Sequence, residues 1–493
     1  MAVIVTWNRR ADVLRVLDRL SSMDTGGAAL HAIVVDNAST DGTAEAVAEF
    51  AAERAWVDGA VRVVRHDENL GGCGGFNGGF AAVERDFGPP GSEGGPDFVW
   101  LLDDDIDLPS DALLRLMRAA KPDPRIALVG SRTVDLGDRR TTIESTIFYD
   151  RSAGMMGPGE RGESLREAVE GVRDVDIVSA CSMLVRWAAI EGVGYWDDRF
   201  FIYCDDADWC LRVKRAGWRV VCALDAVVYH TPWTHKLTPV RAYYLHRNLL
   251  WMNAKHLEGA ALRRVWLRWC WRLLREAKSA ALNRRMTDAV LRVRAVVDAV
   301  SGRGGKLHFE MEREPLLDAL TRAGAMRGDV VVVASGRPSF DASERVRAEV
   351  ANGLISAGRA GEMPRWRTVL RHGEGDAEHG GDAPIAGDGR VPIVRFHPTR
   401  FGKLAAQRFF VRRRPDVVIV IDGECGFPLL LGRTTLHVSA DDVSSATVEP
   451  GGLGAVVSFA WSWAGALVRA MAHGLTIRRD TRSDPAASQG AGV

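Results

Sequence analysis

The sequence lacks the marks of several familiar protein classes. Its seven cysteines are an odd number and include no C-x-x-C pair, which argues against a disulfide framework or a zinc site and predicts reduced thiols in a cytoplasmic protein. Net charge is absent, since 64 Lys and Arg face 64 Asp and Glu. No global field recruits nucleic acid, and no nucleic-acid partner is expected. The chain opens Met1-Ala2-Val3-Ile4-Val5 with neither a basic leader nor a long apolar core, so a secretory signal is not expected. A G-x-x-x-x-G-K-[ST] phosphate loop is missing. The first strand runs into Trp7-Asn8-Arg9 rather than glycines, which excludes the usual dinucleotide fingerprint.

What is present is ample apolar content, 46% over 493 residues, enough for two or more cores. The chain is organised around Phe98-Val99-Trp100-Leu101-Leu102-Asp103-Asp104-Asp105-Ile106-Asp107. Five apolar residues read as a strand buried on both faces, and its acidic end must lie where the sheet meets solvent. Asp103 and Asp105, two residues apart, point the same way and can share one hard divalent cation, Mg²⁺ or Mn²⁺.

Three earlier segments repeat the device. Val3 to Thr6 reads as a strand, followed by Asn8, Arg9 and a helix with Val13, Val16, Leu17 and Leu20 at helical spacing. Ala32 to Val35 ends in Asp36-Asn37-Ala38-Ser39-Thr40-Asp41-Gly42, where Ser39 or Thr40 can cap the next helix. Val61 to Arg65 leads to Asn69-Leu70-Gly71-Gly72-Cys73-Gly74-Gly75-Phe76-Asn77-Gly78-Gly79, which reads as a loop whose backbone can approach a phosphate closely. Alternating strands and helices predict an α/β, mostly parallel sheet flanked by helices, with Asn8, Asp36, the glycines and Asp103 on one rim. Val175 to Val185 reads as a further strand, with Ser179 to Met183 on a pocket floor.

In that order, these motifs resemble the nucleotide-sugar half of family 2 glycosyltransferases with a GT-A fold, and within it the bacterial galactofuranosyl- and rhamnosyltransferases. The resemblance covers residues 1 to about 256. It implies an inverting, metal-dependent hexosyltransferase using UDP-galactofuranose, or alternatively dTDP-rhamnose, on a cell-envelope glycan or polyprenyl-linked acceptor. The alternative of another class is a non-catalytic nucleotide-sugar or glycan-binding module, which would be expected to have lost some of the acidic positions, all of which are present. Thr6, Asn8, Arg9, Asp36, Asn69, Gly71, Gly72, Gly74, Gly75 and Asp104 would then hold the donor. The segment Tyr203-Cys204-Asp205-Asp206-Ala207-Asp208 matches the family's acidic helix start, which implies Asp206 as the base, Asp205 in support, and Asp205 and Asp208 at the acceptor. The resemblance further implies His230 as a third metal ligand, with His235 as its rival, and Trp233 against the acceptor sugar. Arg247 in Tyr243-Tyr244-Leu245-His246-Arg247-Asn248 can reach the diphosphate or serve packing.

Residues 257 to 304 read as long helices, with ten Lys and Arg against four Asp and Glu between Glu258 and Val300. With Trp266, Trp269 and Trp271 among them, the segment reads either as a helical pair packed on the catalytic domain or as a peripheral contact with the inner face of a plasma membrane. Beyond, residues 305 to 475 read as a second, smaller α/β region, with strands at Val330 to Ala334, Pro392 to Phe396, Val417 to Ile421 and Thr435 to Val438. Gly373 to Gly389 reads as a mobile loop, residues 476 to 493 as a disordered tail, and Pro450 to Val468 as a buried or interfacial helix.

Overall fold

The computed structural model describes residues 1–53, 60–158, 171–232, 237–282, 285–309, 313–326, 328–371, 393–396, 415–421, 434–438, 443–448 and 453–477. Strands β1 (Ala2–Thr6), β2 (Ala32–Asp36), β3 (Val61–Arg65) and β4 (Phe98–Asp103) alternate with helices α1 (Arg10–Ser21), α2 (Thr43–Glu53) and α3 (Gly71–Phe87). Val13, Val16, Leu17 and Leu20 are the buried stripe of α1, as their spacing predicts. Parallel pairing puts Val5 beside both Val35 and Asp103, so these strands deliver their polar ends to one edge.

The chain continues through α4 (Ala112–Ala120), β5 (Ile126–Asp135), β6 (Thr142–Glu144), β7 (Ile147–Asp150), β8 (Met155–Pro158), β9 (Val172–Asp174), β10 (Ser182–Arg186), α5 (Asp205–Arg215), β11 (Arg219–His230) and α6 (Pro239–His256). Among the described residues the larger sheet has nine strands in the order β3-β2-β1-β4-β10-β5-β11-β9, with β6 on β5. It is the mostly parallel, helix-flanked sheet that the strand-helix alternation predicts. The departures are β10, which runs antiparallel between β4 and β5 and pairs with β4 along its whole length, and the antiparallel strands β6 on β5 and β9 on β11. Only Ser182 to Val185 of the segment expected from Val175 to Val185 belongs to β10, and the strand runs one residue further, to Arg186.

The glycine-rich stretch is not a loop. It is the first half of α3, despite a helix cost of about 1 kcal/mol for each interior glycine relative to alanine. Packing overrides propensity: a Cβ on Gly75 would stand 2.4 Å from Val5 Cγ1, and one on Gly79 2.2 Å from Val3 Cγ1. The missing side chains let α3 lie directly on β1. The cap of α2 also differs from expectation. Asp41 accepts from the Thr43 amide at 3.1 Å, while Ser39 and Thr40 bind Asn8 instead.

Helices α7 (Gly259–Leu282) and α8 (Met286–Val300) form the expected pair. Trp266 and Trp269 are buried and only Trp271 is exposed, so two of the three tryptophans serve packing and not a membrane. Their core is continuous with that of the first domain, one cluster running from Val3 through Phe80 and Trp209 to Trp266. Next come β12 (Arg313–Pro315), α9 (Leu316–Arg322), β13 (Asp329–Ser335), α10 (Gly336–Ser356), β14 (Arg365–Arg371), β15 (Ile393–Phe396), β16 (Val417–Ile421), β17 (Thr434–Val438) and β18 (Ser445–Val448). They make a second sheet, β12-β18-β17-β16-β13-β14-β15, and all four strands expected here are present. Helix α11 (Leu453–Thr476) then returns to pack on α7 and α8. Gly373 to Gly389 and residues 478–493 lie outside the described residues, while Thr476 and Ile477, expected in the tail, are ordered, Thr476 ending α11 and Ile477 buried. No helix among the described residues is long and apolar enough to cross a membrane.

Candidate active site

The carboxyl ends of β4 and β11 meet at the rim. Asp103, Asp105 and His230 each offer a ligand atom within 4.8 Å of the others. His230 Nε2 lies 3.0 Å from Asp105 Oδ1 and 3.7 Å from Asp103 Oδ2. The second oxygen of Asp105 is held at 3.0 Å by Arg9 Nη1, which ties the loop after β1 to the acidic turn. Two carboxylates and one imidazole are a donor set suited to Mn²⁺, and with water to Mg²⁺. The residues expected to bind metal are therefore brought together. Asp104 turns inward, where burial pushes its carboxyl up to about 7 against the pull of Arg9.

One cavity of about 910 Å³ is also lined by the start of α5, with Asp205 and Asp206 joining Asp103 and Asp105 in its wall, and Asp103 near enough for its charge to act on Asp205. The approach to this helix is strained, since Phe201, Tyr203 and Cys204 have φ of 67°, 67° and 61°. Buried polar groups hold it in place. Asn248 Nδ2 donates to the carbonyls of Phe200, Ile202 and Tyr203 at 2.7 to 2.9 Å, and Arg247 donates to those of Arg199, Phe200 and Gly305. Arg247 is thus spent on backbone and does not reach a diphosphate. Helix α3 supports the same turn from below, where Gly71, at φ +73°, leaves no room for a Cβ, which would stand 2.1 Å from the Phe201 carbonyl oxygen.

Asp206 accepts from the Ala207 amide at 2.7 Å and weakly from that of Ala180 at 3.4 Å. Burial, then Asp205 and Glu144, raise its carboxyl well above the usual range. Burial likewise raises Asp205, to which the Cys73 thiol donates at 3.1 Å. Two buried acids side by side, with few donors, form a proton-accepting pair rather than a salt bridge. Asp208 has another fate. It is 1% exposed and accepts from Lys255, His256 and Arg212 at 2.7, 2.9 and 3.1 Å. Burial opposes its ionisation, but His256 and Lys255 hold it below the ordinary carboxylate range. It is an internal ion cluster and is not on the cavity wall where the acceptor was expected.

Of the expected donor-binding residues, Arg9, Gly72 and Asp104 line the cavity. Thr6 and Asp36 are buried behind it, Asp36 accepting from the Ser39 amide at 3.2 Å. Asn8 accepts from the Thr40 amide at 2.7 Å and Asn69 from that of Gly71 at 2.8 Å. Gly74 and Gly75 face Leu70 and Val5, so close approach to phosphate is not their use. Trp233 and His235 lie outside the described residues. Ser179, Ala180 and Cys181 line the cavity as expected, whereas Ser182 and Met183 are strand residues.

The sequence gives no warning of the remaining wall. Glu144, Met155, Met156, Arg241, His246, Trp269, Arg272 and Glu276 come from β6, β8, α6 and α7, and only their helical or strand context, not a motif, places them. Burial pushes His246 down to about 3, which keeps its ring neutral.

Residues 1–194 match the glycosyl transferase family 2 model, and residues 98–298 match the glycosyl transferase family group 2 model. The chain is similar to galactofuranosyltransferase GlfT2 of Mycobacterium tuberculosis (strain H37Rv), 25% identical over 273 residues, which is 52% of this chain and 41% of that protein. It is also similar to the N-acetylglucosaminyl-diphospho-decaprenol L-rhamnosyltransferase of the same species, 28% identical over 211 residues, 40% of this chain and 65% of that one. The chain thus spans less than half the length of the first relative and about two thirds of the second. Among solved structures, GalNAc-T7 with UDP, GalNAc and Mn²⁺ aligns at TM-score 0.40 and 12% identity, covering 54% of this chain and 49% of that one.

Proposed function

The chain belongs to the family 2 glycosyltransferases through residues 1–298, and from that premise we propose that it is an inverting, metal-dependent hexosyltransferase acting on a cell-envelope glycan or polyprenyl-linked acceptor. The observation that carries the reading is the cavity itself, which brings the Asp103, Asp105 and His230 cluster together with Asp205 and Asp206. Asp103, Asp105 and His230 would hold Mn²⁺ or Mg²⁺, which when bound neutralises the charge that develops on a leaving diphosphate. Arg9 steadies Asp105 and faces the same charge. Asp206 takes the proton from an acceptor hydroxyl as that oxygen attacks the anomeric carbon from the face opposite the diphosphate. The C–O bond to the diphosphate breaks as the new one forms, and no covalent enzyme intermediate is required. Asp205, which accepts from the Cys73 thiol, orients the acceptor, and its charge beside Asp206 raises the affinity of that carboxylate for the proton it takes.

The donor we favour is UDP-galactofuranose, on the Asp103-Asp104-Asp105 and Asp205-Asp206-Ala207-Asp208 segments and on the likeness to GlfT2. The likeness to a rhamnosyltransferase supports dTDP-rhamnose as the second reading. Incubation with a panel of nucleotide sugars and Mn²⁺, scored for nucleoside diphosphate release with and without acceptor, decides between them. Release from none of the panel would overturn the assignment.

A further inference from the structure

Helix α11 buries Phe459, Ala466 and Ala470 against α7 and α8, and the Trp463 indole donates to the Leu274 carbonyl at 2.7 Å. Its other face carries Val457, Trp461, Ala464, Val468, Met471 and Leu475 at alternating steps of four and three, one straight stripe along the helix. Every member is exposed, Trp461 by 77%, Val468 by 67% and Leu475 by 66%. Between Leu453 and Thr476 there is no Asp, Glu or Lys, and Arg469 is the lone Arg. An apolar stripe of this length is rare on a surface that meets only water.

The neighbouring helix has the opposite character. Arg264, Arg268, Trp271, Arg275, Lys278 and Leu282 repeat along the outer face of α7 with the same spacing, and all are exposed. Helices α7 and α11 touch through Leu274 and Leu267, the latter against Gly474. The cationic stripe lies about a quarter-turn round α7 from those contacts, so both stripes border the same seam. We infer that this seam is a docking surface for an anionic lipid bilayer, with α11 lying in the interfacial zone and α7 setting its arginines against lipid phosphates. Trp461 and Trp271 are the side chains that favour that zone.

Two further observations support a membrane over a second copy of the chain. Self-association through the seam would bring the α7 cations of both copies together, whereas anionic lipid complements them. Helix α7 is also a wall of the active-site cavity through Trp269, Arg272 and Glu276, so a lipid-linked acceptor could enter from the docked face without leaving the bilayer. The last point rests on the transferase reading above; the docking surface does not.

The test is flotation of the full chain with phosphatidylglycerol-rich vesicles and with phosphatidylcholine vesicles, at low and high salt. Recovery with anionic vesicles at low salt is expected, with loss at high salt. Each cation is worth about fivefold in partition, so Arg264→Gln/Arg275→Gln/Lys278→Gln should weaken binding on the order of a hundredfold. Trp461→Ser/Val468→Ser should abolish it while leaving the melting temperature and nucleoside diphosphate release with a water-soluble acceptor unchanged. Unaltered flotation of either variant overturns the proposal. So does light scattering that finds a dimer which Trp461→Ser dissociates, since the stripe would then belong to a second copy. Absence of diphosphate release would sink the transferase reading and leave the flotation result standing.

Discussion

Replacing Asp206 by Asn should separate three quantities that misfolding would move together. The amide keeps the shape of the carboxylate but cannot take a proton, so transfer should fall by roughly 10²- to 10⁴-fold, or about 2.7 to 5.5 kcal/mol of barrier at 1.36 kcal/mol per tenfold. Donor affinity should hold within about twofold, because Asp206 accepts from the Ala207 and Ala180 amides and the substitution leaves Arg9, Asp103, Asp105 and His230 in place. Stability should rise. Burial, Asp205 and Glu144 raise the Asp206 carboxyl well above its usual range, so the folded protein holds that proton more tightly than the unfolded chain. This contribution is complete below the unfolded value of about 3.9 and is lost as pH climbs through the folded one. The variant, with no proton to lose, should therefore melt above wild type on the alkaline side of neutrality, and the gap should close toward pH 4. The wild-type rate should climb with pH as Asp206 ionises, and that limb should be missing from the residual activity of the variant. Transfer rate, donor dissociation constant and melting curves at several pH values on one acceptor provide the assay. Turnover like wild type would move the base to Asp205, and weakened donor binding would show that the substitution disturbs the cavity rather than the proton.

Asp103→Asn and His230→Ala should each abolish the gain in donor affinity that Mn²⁺ brings, read by donor titration with and without the ion; an undiminished gain would remove that residue from the ligand set. Asp208→Asn removes the buried charge that Lys255, His256 and Arg212 share, although Lys255 keeps Asp197 and Arg212 keeps the carbonyls of Val193 and Tyr195. It should cost roughly 1–3 kcal/mol of stability with turnover per folded molecule unchanged, so a slower enzyme of normal stability would refute its structural role. Gly79→Ala places a methyl 2.2 Å from Val3 Cγ1 and should destabilise by roughly 1–3 kcal/mol despite alanine's helix preference, which a denaturant melt would register; a more stable variant would show that α3 can lift off the sheet.

Much of the catalytic half is legible because strand and carboxylate are adjacent in sequence. Leu101-Leu102-Asp103 and Val34-Val35-Asp36 each state, within three residues, that a buried strand ends at a polar edge, and the parallel register follows from the intervening helices. The start of α5 is readable for a similar reason, since Asp205 and Asp206 are contiguous. Other features depend on contacts far apart in the chain. Nothing near Gly75 tells a helix from a loop, because the deciding neighbours are Val3 and Val5, some seventy residues away. Asp208 looks like its acidic neighbours until the turn of α5 points it at Lys255 and His256. Arg247 sits in a segment that suggests phosphate and is consumed by the carbonyls of Arg199 and Phe200. Trp266 packs against His473 of α11 and Trp269 donates to the Ala153 carbonyl beyond β7, contacts which no local pattern announces.

Helix α3 touches both halves of the active site. Through Gly75 and Gly79 it rests on β1, the strand beside the acidic β4, and through Gly71 and Cys73 it meets the turn that leads to Asp205 and Asp206. On the proposed reading it is a gauge block between the strands beside the leaving group and the turn that carries the base, and its thickness is that of bare backbone. Side-chain replacement can only widen such a spacer, beginning with a whole methyl group, so the reach between attacking oxygen and anomeric carbon has no fine adjustment there. Divergence in the sugar accepted must then be written into the facing walls, at residues such as Glu144, Met155, Met156 and His246, while the span itself stays fixed.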